Sequence, residues 1–373
     1  MPLTAMEAPA CPEPDLAPLP PEAERAMPEP PATPTWAEGV QPAEDAAGPP
    51  PDVSVLMPVH NGEAFLAEVL ASVLGQRGCR FELVAIDDAS SDGTTAMLRA
   101  AAEADPRVRV LRFDRNVDIC HGLNAGMSVA RSPWIARCDA DDVMLPGRLA
   151  SQLAFAGSTG AVAMGAFVEL IDRRGRRLRD LEVPLTHEEI EGGLLRGVCT
   201  LQHTAMLFHR ETAMRLGGYD PAFASAEDLH LWLRMAEVGR LANQPEVLQR
   251  YRYFSESMSG SRREEQFENT KRAALEACAR RGISPVSVPR EHWRPAQDRN
   301  SRYEALLQMG WWASTSGERR TGFSYACACL KQRPADRRAW ALLRSALCPG
   351  GPPAAPKQPI PTPTRKALAV GGA

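Results

Sequence analysis

The sequence predicts an α/β fold, with a mostly parallel central sheet flanked by helices, a C-terminal helical region and disordered termini. Three observations lead there. Four short β-branched apolar runs alternate with three helical patterns between 53 and 138. The runs are nearly continuous rather than alternating, as in strands buried on both faces of a parallel sheet. Polar clusters follow the runs, so the loops that would carry chemistry gather at one sheet edge.

Val53-Ser54-Val55-Leu56-Met57-Pro58-Val59 reads as the first strand and breaks at the turn His60-Asn61-Gly62. Phe65, Leu66, Val69, Leu70, Val73 and Leu74 then recur at helical spacing, with Gly75 or Gly78 as the stop. Phe81 to Ile86 is the second strand, ending in Asp87-Asp88-Ala89-Ser90-Ser91-Asp92-Gly93-Thr94, and a helix runs from about Thr95 to Glu103. Val108 to Phe113 is the third strand, followed by a helix from Gly122 to Ala130; Trp134 to Cys138 is the fourth. Successive β–α units imply right-handed crossovers.

Beyond about 150 the alternation weakens. Gly160 to Ile171 and Ala205 to Phe208 read as strands, and Ala226 to Val238 as a helix with Leu229, Trp232, Leu233 and Met235 on its buried stripe. From Arg262 to Leu347 the pattern is helical, with loops near 282–298 and 315–322. The expected organisation is a tail at 1–51, an α/β domain at 52–260, a helical accessory region at 261–347 and a second tail at 348–373. Both tails are Pro-rich and without apolar period, the composition of disorder.

The net charge of −3 supplies no global basic field, so a nucleic-acid partner is not expected. The nine cysteines form no C-x-x-C pair, which fits reduced thiols in a cytoplasmic protein. The start of the chain lacks the basic and apolar regions of a secretory signal, and no window approaches the ~20 apolar residues that span a bilayer. The sequence sets no oligomeric state.

The densest chemical feature is Asp139-Ala140-Asp141-Asp142 after the fourth strand. Adjacent carboxylates repel, and a strand end offers exposure, hydrogen bonds or a cation to relieve that repulsion. With Val53 to Gly62, Ile86 to Thr94 and Glu227-Asp228-Leu229-His230-Leu231-Trp232-Leu233-Arg234, this cluster resembles the ordered signatures of family 2 glycosyltransferases over about 52–260.

That resemblance implies a GT-A, Rossmann-like fold and a non-processive, inverting, hexosyltransferase-type reaction. A sugar would pass from a nucleotide-diphosphate donor to a hydroxyl of a glycan or lipid-linked acceptor in polysaccharide, lipopolysaccharide or glycolipid assembly. It implies Pro58, His60 and Asp88 in the nucleoside pocket, Asp139 at the ribose or metal shell, Asp141 as a ligand of Mg²⁺ or Mn²⁺, and Asp228 as the general base. Local readings stand beside these roles: Asp87 to Gly93 fits an Asx turn and helix cap, and Ser225-Ala226-Glu227-Asp228 fits a capping box.

Departures from the family bear on the site. Phe254 stands where the family often has a His that reaches the metal or phosphate, and Asn116-Val117-Asp118 stands where it often has Asn-x-Gly. Gln249-Arg250-Tyr251-Arg252-Tyr253 half-matches the Q-x-x-R-W of processive synthases, but no membrane helices accompany it. His203 in Leu201-Gln202-His203-Thr204 reads as structural, for want of a nucleophile nearby in sequence. Two other readings remain: a haloacid-dehalogenase-like phosphatase with Asp139 as nucleophile and Asp141 as acid/base, and a degenerate domain that only binds nucleotide sugar. Basic pairs such as Arg280-Arg281, Arg319-Arg320 and Arg337-Arg338, near Trp311-Trp312 and Trp340, suit peripheral contact with an anionic membrane at its inner face. Glu264, Glu265 and Glu268 fit a solvated helix face instead, the commoner arrangement.

Overall fold

The computed structural model describes residues 24–36, 49–254, 263–288 and 298–347. The strands are β1 (Thr35–Trp36), β2 (Val53–Val59), β3 (Phe81–Asp88), β4 (Val108–Phe113), β5 (Trp134–Arg137), β6 (Val143–Met144), β7 (Ala163–Ile171), β8 (Arg177–Leu181), β9 (Leu207–His209) and β10 (Leu241–Arg252). The helices are α1 (Glu63–Leu74), α2 (Thr94–Ala104), α3 (Asp118–Val129), α4 (Arg148–Thr159), α5 (His187–Leu195), α6 (Arg210–Arg215), α7 (Glu227–Ala236), α8 (Arg263–Arg280), α9 (Arg299–Thr315), α10 (Arg319–Gln332) and α11 (Arg337–Leu347).

One sheet runs β1-β4-β3-β2-β5-β9-β7-β10-β6, with β8 on β7. Its block β4-β3-β2-β5 is parallel, as expected; β9 is antiparallel to both neighbours, and β7 and β10 are parallel to each other. In β2, Val53, Val55, Met57 and Val59 pack to one face and Leu56 to the other, so both faces are buried. That explains why the run is apolar throughout. Helices α1, α2 and α4 cover the first face, while α3, α5, α7 and α8 cover the second. A third cluster seats Met309 and Trp312 of α9 and Tyr325 of α10 on β7 and β8, next to Tyr253. No helix among the described residues is long and apolar enough to cross a membrane.

Three expectations change. Residues 24–36, read as part of a disordered tail, lie against the domain: Thr35 and Trp36 pair with Arg112 and Leu111, and the Arg109 guanidinium sits 4.5 Å over the Trp36 ring. A short Pro-rich segment needs no core of its own when an edge strand and a cation–π contact are offered to it. β10 was not foreseen, because Pro245 interrupts its pattern. The strand bulges at Pro245–Glu246, where pairing with β7 shifts register, so the missing N–H costs no ladder bond. The Ser225 capping box does not form: Ala226 is the N-cap of α7, without a side-chain cap bond. Residues 1–23, 37–48 and 348–373, and the boundary near 260, lie outside the described residues.

Under the acid-bearing loop, Arg148 at the start of α4 is fully buried. Its Nε donates to Gln152 Oε1 (2.9 Å), Nη1 to the carbonyl of Thr204 (2.9 Å) and to Gln249 Oε1 (2.6 Å), and Nη2 to the carbonyls of Arg137 (2.9 Å) and Met206 (3.2 Å). All five N–H groups are used, and no partner is a carboxylate. Replacing Arg148 with Leu strands these acceptors in the interior, and is expected to lower unfolding free energy by about 3–5 kcal/mol. Arg148→Lys should recover less than half of that, because an ammonium lacks the planar fork. Urea denaturation decides it; a Leu variant as stable as the parent would show that these bonds contribute nothing.

Candidate active site

The polar ends of the parallel strands meet at one edge through side chains that staple loop to loop. After β2, Asn61 adopts left-handed backbone geometry (φ 55°). Its Oδ1 accepts from the Ser91 N–H at 2.8 Å, while its own N–H donates to Ser90 Oγ at 3.0 Å. Ala89 (φ 56°) and Asp118 (φ 72°) are the other non-glycine residues with positive φ among those described, on the loops after β3 and β4. Non-glycine residues in this region cost about 1–2 kcal/mol each, and such strain gathers at functional sites.

The expected nucleoside residues lie together here. Pro58 is in register with Ile86, and His60 Nδ1 donates to the carbonyl of Asp88 at 2.6 Å. Asp88 Oδ1 accepts from the Val117 N–H at 2.7 Å, which fixes the Asn116–Asp118 turn against β3. Burial pushes the Asp88 carboxyl up, helped by Asp118 and Asp87 and opposed by the Val117 bond and His60. The Asx turn of the local reading forms, with Asp87 accepting from Ser90 N and Thr95 Oγ1 and Asp92 from Thr94 N, but the helix cap does not: Gly93 is the N-cap of α2, without a side-chain cap bond.

The Asp139–Asp142 loop is clamped from below by β10. The Arg252 N–H donates to Asp142 Oδ1 (2.7 Å), and its Nε to the Asp141 carbonyl (2.7 Å). Its Nη2 pairs with Glu68 of α1 (2.8 Å). Gln249 Nε2 donates to Thr204 Oγ1 (3.2 Å), and that oxygen in turn accepts from the Asp139 N–H (3.2 Å). The segment that half-matches a synthase signature is therefore a clamp beneath the acidic loop. Burial, then Asp141 and Asp139, push the Asp142 carboxyl well above the ordinary range. Phe254, at the position where a His was expected, packs 6.1 Å from Phe65, with the Arg173 guanidinium 5.7 Å from its ring.

Across from this loop, Glu227 and Asp228 open α7. Asp228 Oδ1 accepts from the Leu229 N–H (2.7 Å), and Oδ2 from Cys199 Sγ (3.7 Å). Glu227 Oε1 lies 4.0 Å from His203 Nδ1, and His203 Nε2 is hydrogen-bonded to the Tyr219 hydroxyl (2.9 Å). Burial raises both carboxyls, and the Asp228 charge helps carry Glu227 to about 8. Burial, then the Arg137 charge, depresses His203 well below its usual range, so it is neutral. His203, read as structural, thus sits within the acid cluster.

Arg137 is the residue that sequence reasoning passed over. It is 1% exposed, donates to Asp139 Oδ1 at 2.6 Å, and its charge acts on Glu227, Asp228, His203 and Tyr219. The signal was present: a charged residue inside an apolar strand, two positions before the acids. One guanidinium thereby joins the acidic loop to the acidic helix terminus. Carboxylates held at graded protonation around a fixed cation suit proton removal beside an anionic leaving group.

A model of the family described as "Glycosyl transferase family 2" matches residues 54–217. The putative glycosyltransferase EpsE of Bacillus subtilis is 34% identical over 56% of this chain and 75% of its own length. The succinoglycan biosynthesis protein ExoO of Rhizobium meliloti is 36% identical over 35% of this chain, and only 36% of its length is matched. Among solved structures, S. aureus TarS 1-349 in complex with UDP-GlcNAc superposes with a TM-score of 0.50 over 79% of each chain at 15% identity, a likeness of fold. With the family model and EpsE in agreement, the phosphatase reading of Asp139 and Asp141 is set aside, and the chain belongs to glycosyl transferase family 2.

Proposed function

We propose that the protein is a non-processive, inverting glycosyltransferase that moves a sugar from a nucleotide-diphosphate donor to a hydroxyl of a glycan or glycolipid. The observation that carries this is the pair Glu227–Asp228, the first buried and the second half-buried, whose carboxyls feel the charge of the Arg137 that bonds Asp139 at the carboxyl edge of the parallel strands. A complex of TarS with UDP-GlcNAc and the name of ExoO support, for this chain, a nucleotide-sugar donor and a role in polysaccharide assembly.

In this reading Pro58, His60 and Asp88 hold the nucleoside, and Asp139 meets the ribose. Asp141 and its neighbours offer carboxylate oxygens, the donors that Mg²⁺ or Mn²⁺ accept. Among the described residues no group of three or more His, Cys, Asp or Glu side chains is arranged to hold a metal. Few protein ligands would suffice there, since Mg²⁺ habitually keeps several waters. When bound, such a cation neutralises the charge developing on the diphosphate. Asp228 takes the proton of the acceptor hydroxyl as that oxygen attacks the anomeric carbon from the face opposite the diphosphate; the new bond inverts that carbon. Glu227 keeps a second proton nearby and so limits the negative charge around the base.

Asp228→Asn is expected to lower kcat by about 10²–10⁴-fold while leaving donor affinity nearly unchanged. A panel of nucleotide sugars assayed for nucleoside diphosphate release, with binding followed by calorimetry, checks both. A variant with full kcat would move the base elsewhere.

The pH profile supplies an independent check. Burial disfavours the charged base, so the acidic limb of kcat should lie above the ordinary carboxylate range. Glu227, carried to about 8, is still protonated where Asp228 ionises, so Glu227→Gln should leave the acidic limb in place. A limb that moves clearly to lower pH would show that Glu227 carries its charge while the base titrates.

A further inference from the structure

The net charge of −3 conceals a strong asymmetry. Between 298 and 347 the chain carries nine Arg and Lys residues against four Asp and Glu, and 348–373 adds Lys357, Arg365 and Lys366 with no acid. The four acids are engaged: Asp298 caps α9, Glu318 pairs with Arg177, Glu304 pairs with Arg338, and Asp336 takes Arg338 and the Tyr303 hydroxyl. Arg320, Lys331, Arg337 and Arg344 are exposed and make no ion pair among the described residues.

These cations alternate with apolar side chains on helix faces. Arg337, Trp340, Arg344 and Leu347 follow one another at helical spacing on α11; Arg320, Phe323, Cys327 and Lys331 do the same on α10. Trp340 is 54% exposed, Leu347 57% and Phe323 43%, three of the five large exposed hydrophobics among the described residues. The opposite faces are buried, with Tyr325, Ala326 and Cys329 of α10 and Ala339, Leu342 and Ala346 of α11 turned inward. Arg319 donates to the carbonyls of Ala346 and Leu347, setting the start of α10 against the end of α11. Phe323 lies one turn further on. The Glu264-to-Glu268 run that argued for a solvated face is on α8 and balances none of these charges.

We infer that the outward faces of α10 and α11 dock on an anionic lipid bilayer, with Trp340, Phe323 and Leu347 entering the interface and Arg320, Lys331, Arg337 and Arg344 meeting the phosphates. A bilayer is the partner that asks for both halves of this pattern at once: apolar tips, among them a Trp340 ring whose N–H is already bonded to the Pro334 carbonyl, and flexible cations with no counter-charge of their own. Each cation near such a surface multiplies the binding constant by about five. The inference does not rest on the transferase reading, since binding needs neither donor nor acceptor.

The test is sedimentation of the full chain with vesicles of phosphatidylcholine, with and without phosphatidylglycerol. At low salt the protein should pellet with the anionic vesicles alone and be released at high salt. Arg337→Gln with Arg344→Gln should weaken binding by roughly 25-fold; Trp340→Ser should weaken it further while leaving diphosphate release in solution unchanged. All three positions are exposed and Trp340→Ser gives up only the indole bond to the Pro334 carbonyl, so an unchanged thermal midpoint is expected and separates lost binding from lost folding. No binding to anionic vesicles, equal binding to both compositions, or full binding by the variants would overturn the inference. So would a concentration-dependent dimer abolished by the same substitutions, which would assign the face to a second copy.

Discussion

A single buried cation without a counter-anion holds the architecture around the acidic loop together. Arg148 reaches the end of β5 through the Arg137 carbonyl, the turn before β9 through Thr204 and Met206, and β10 through Gln249. These elements come from chain segments more than a hundred residues apart, and each would otherwise end in unmet backbone or amide oxygens. Burying a guanidinium is costly, so the arrangement holds only if every donor finds an acceptor, and here every one does. The loop from Asp139 to Asp142 therefore stands on a floor whose geometry is over-determined.

Above that floor the local rules of stability are broken. Asp142 and the Glu227–Asp228 pair are acids pushed toward their neutral forms by burial, and Asn61, Ala89 and Asp118 sit in backbone geometry that their side chains disfavour. Packing and hydrogen bonds elsewhere tolerate these costs because the three strained loops are stapled to one another, Arg137 bonds Asp139, and the Arg252 main chain holds Asp142. Strain, raised acids and paired cations fall on one edge of one sheet, which is where local and global preferences part company in a working site.

What could be read from the sequence divides along the same line. Strands buried on both faces announce themselves as continuous apolar runs, and the polar residues after them mark the site edge without a structure. Individual residue types also spoke clearly where their chemistry is local, as with the Asx turn at Asp87. The reading failed where long-range partners rewrite local signals. Pro245 masks β10 because a bulge is visible only once β7 is alongside; Ser225 resembles a cap, but α7 begins a residue later; Arg137 looks like one charge among many until Asp139 bonds it and its charge reaches Glu227. The tail at 24–36 has the composition of disorder and the position of an edge strand, and position prevails.

The C-terminal helices are joined to the acidic loop through a short chain of contacts. Arg252 bonds Asp141 and the carbonyl of Asp172; Asp172 Oδ2 accepts from the Tyr325 hydroxyl of α10 at 3.0 Å; and Tyr253 stands edge-on to Trp312 of α9 at 5.3 Å. The side chain that positions the acidic loop is thus one residue from the side chain that seats the helices. Through these contacts a surface formed by α10 and α11 keeps a fixed attitude to the site. For an enzyme whose acceptor is lipid-linked, that attitude would present the site to the bilayer at one height and angle, and the geometry of β10 would set both.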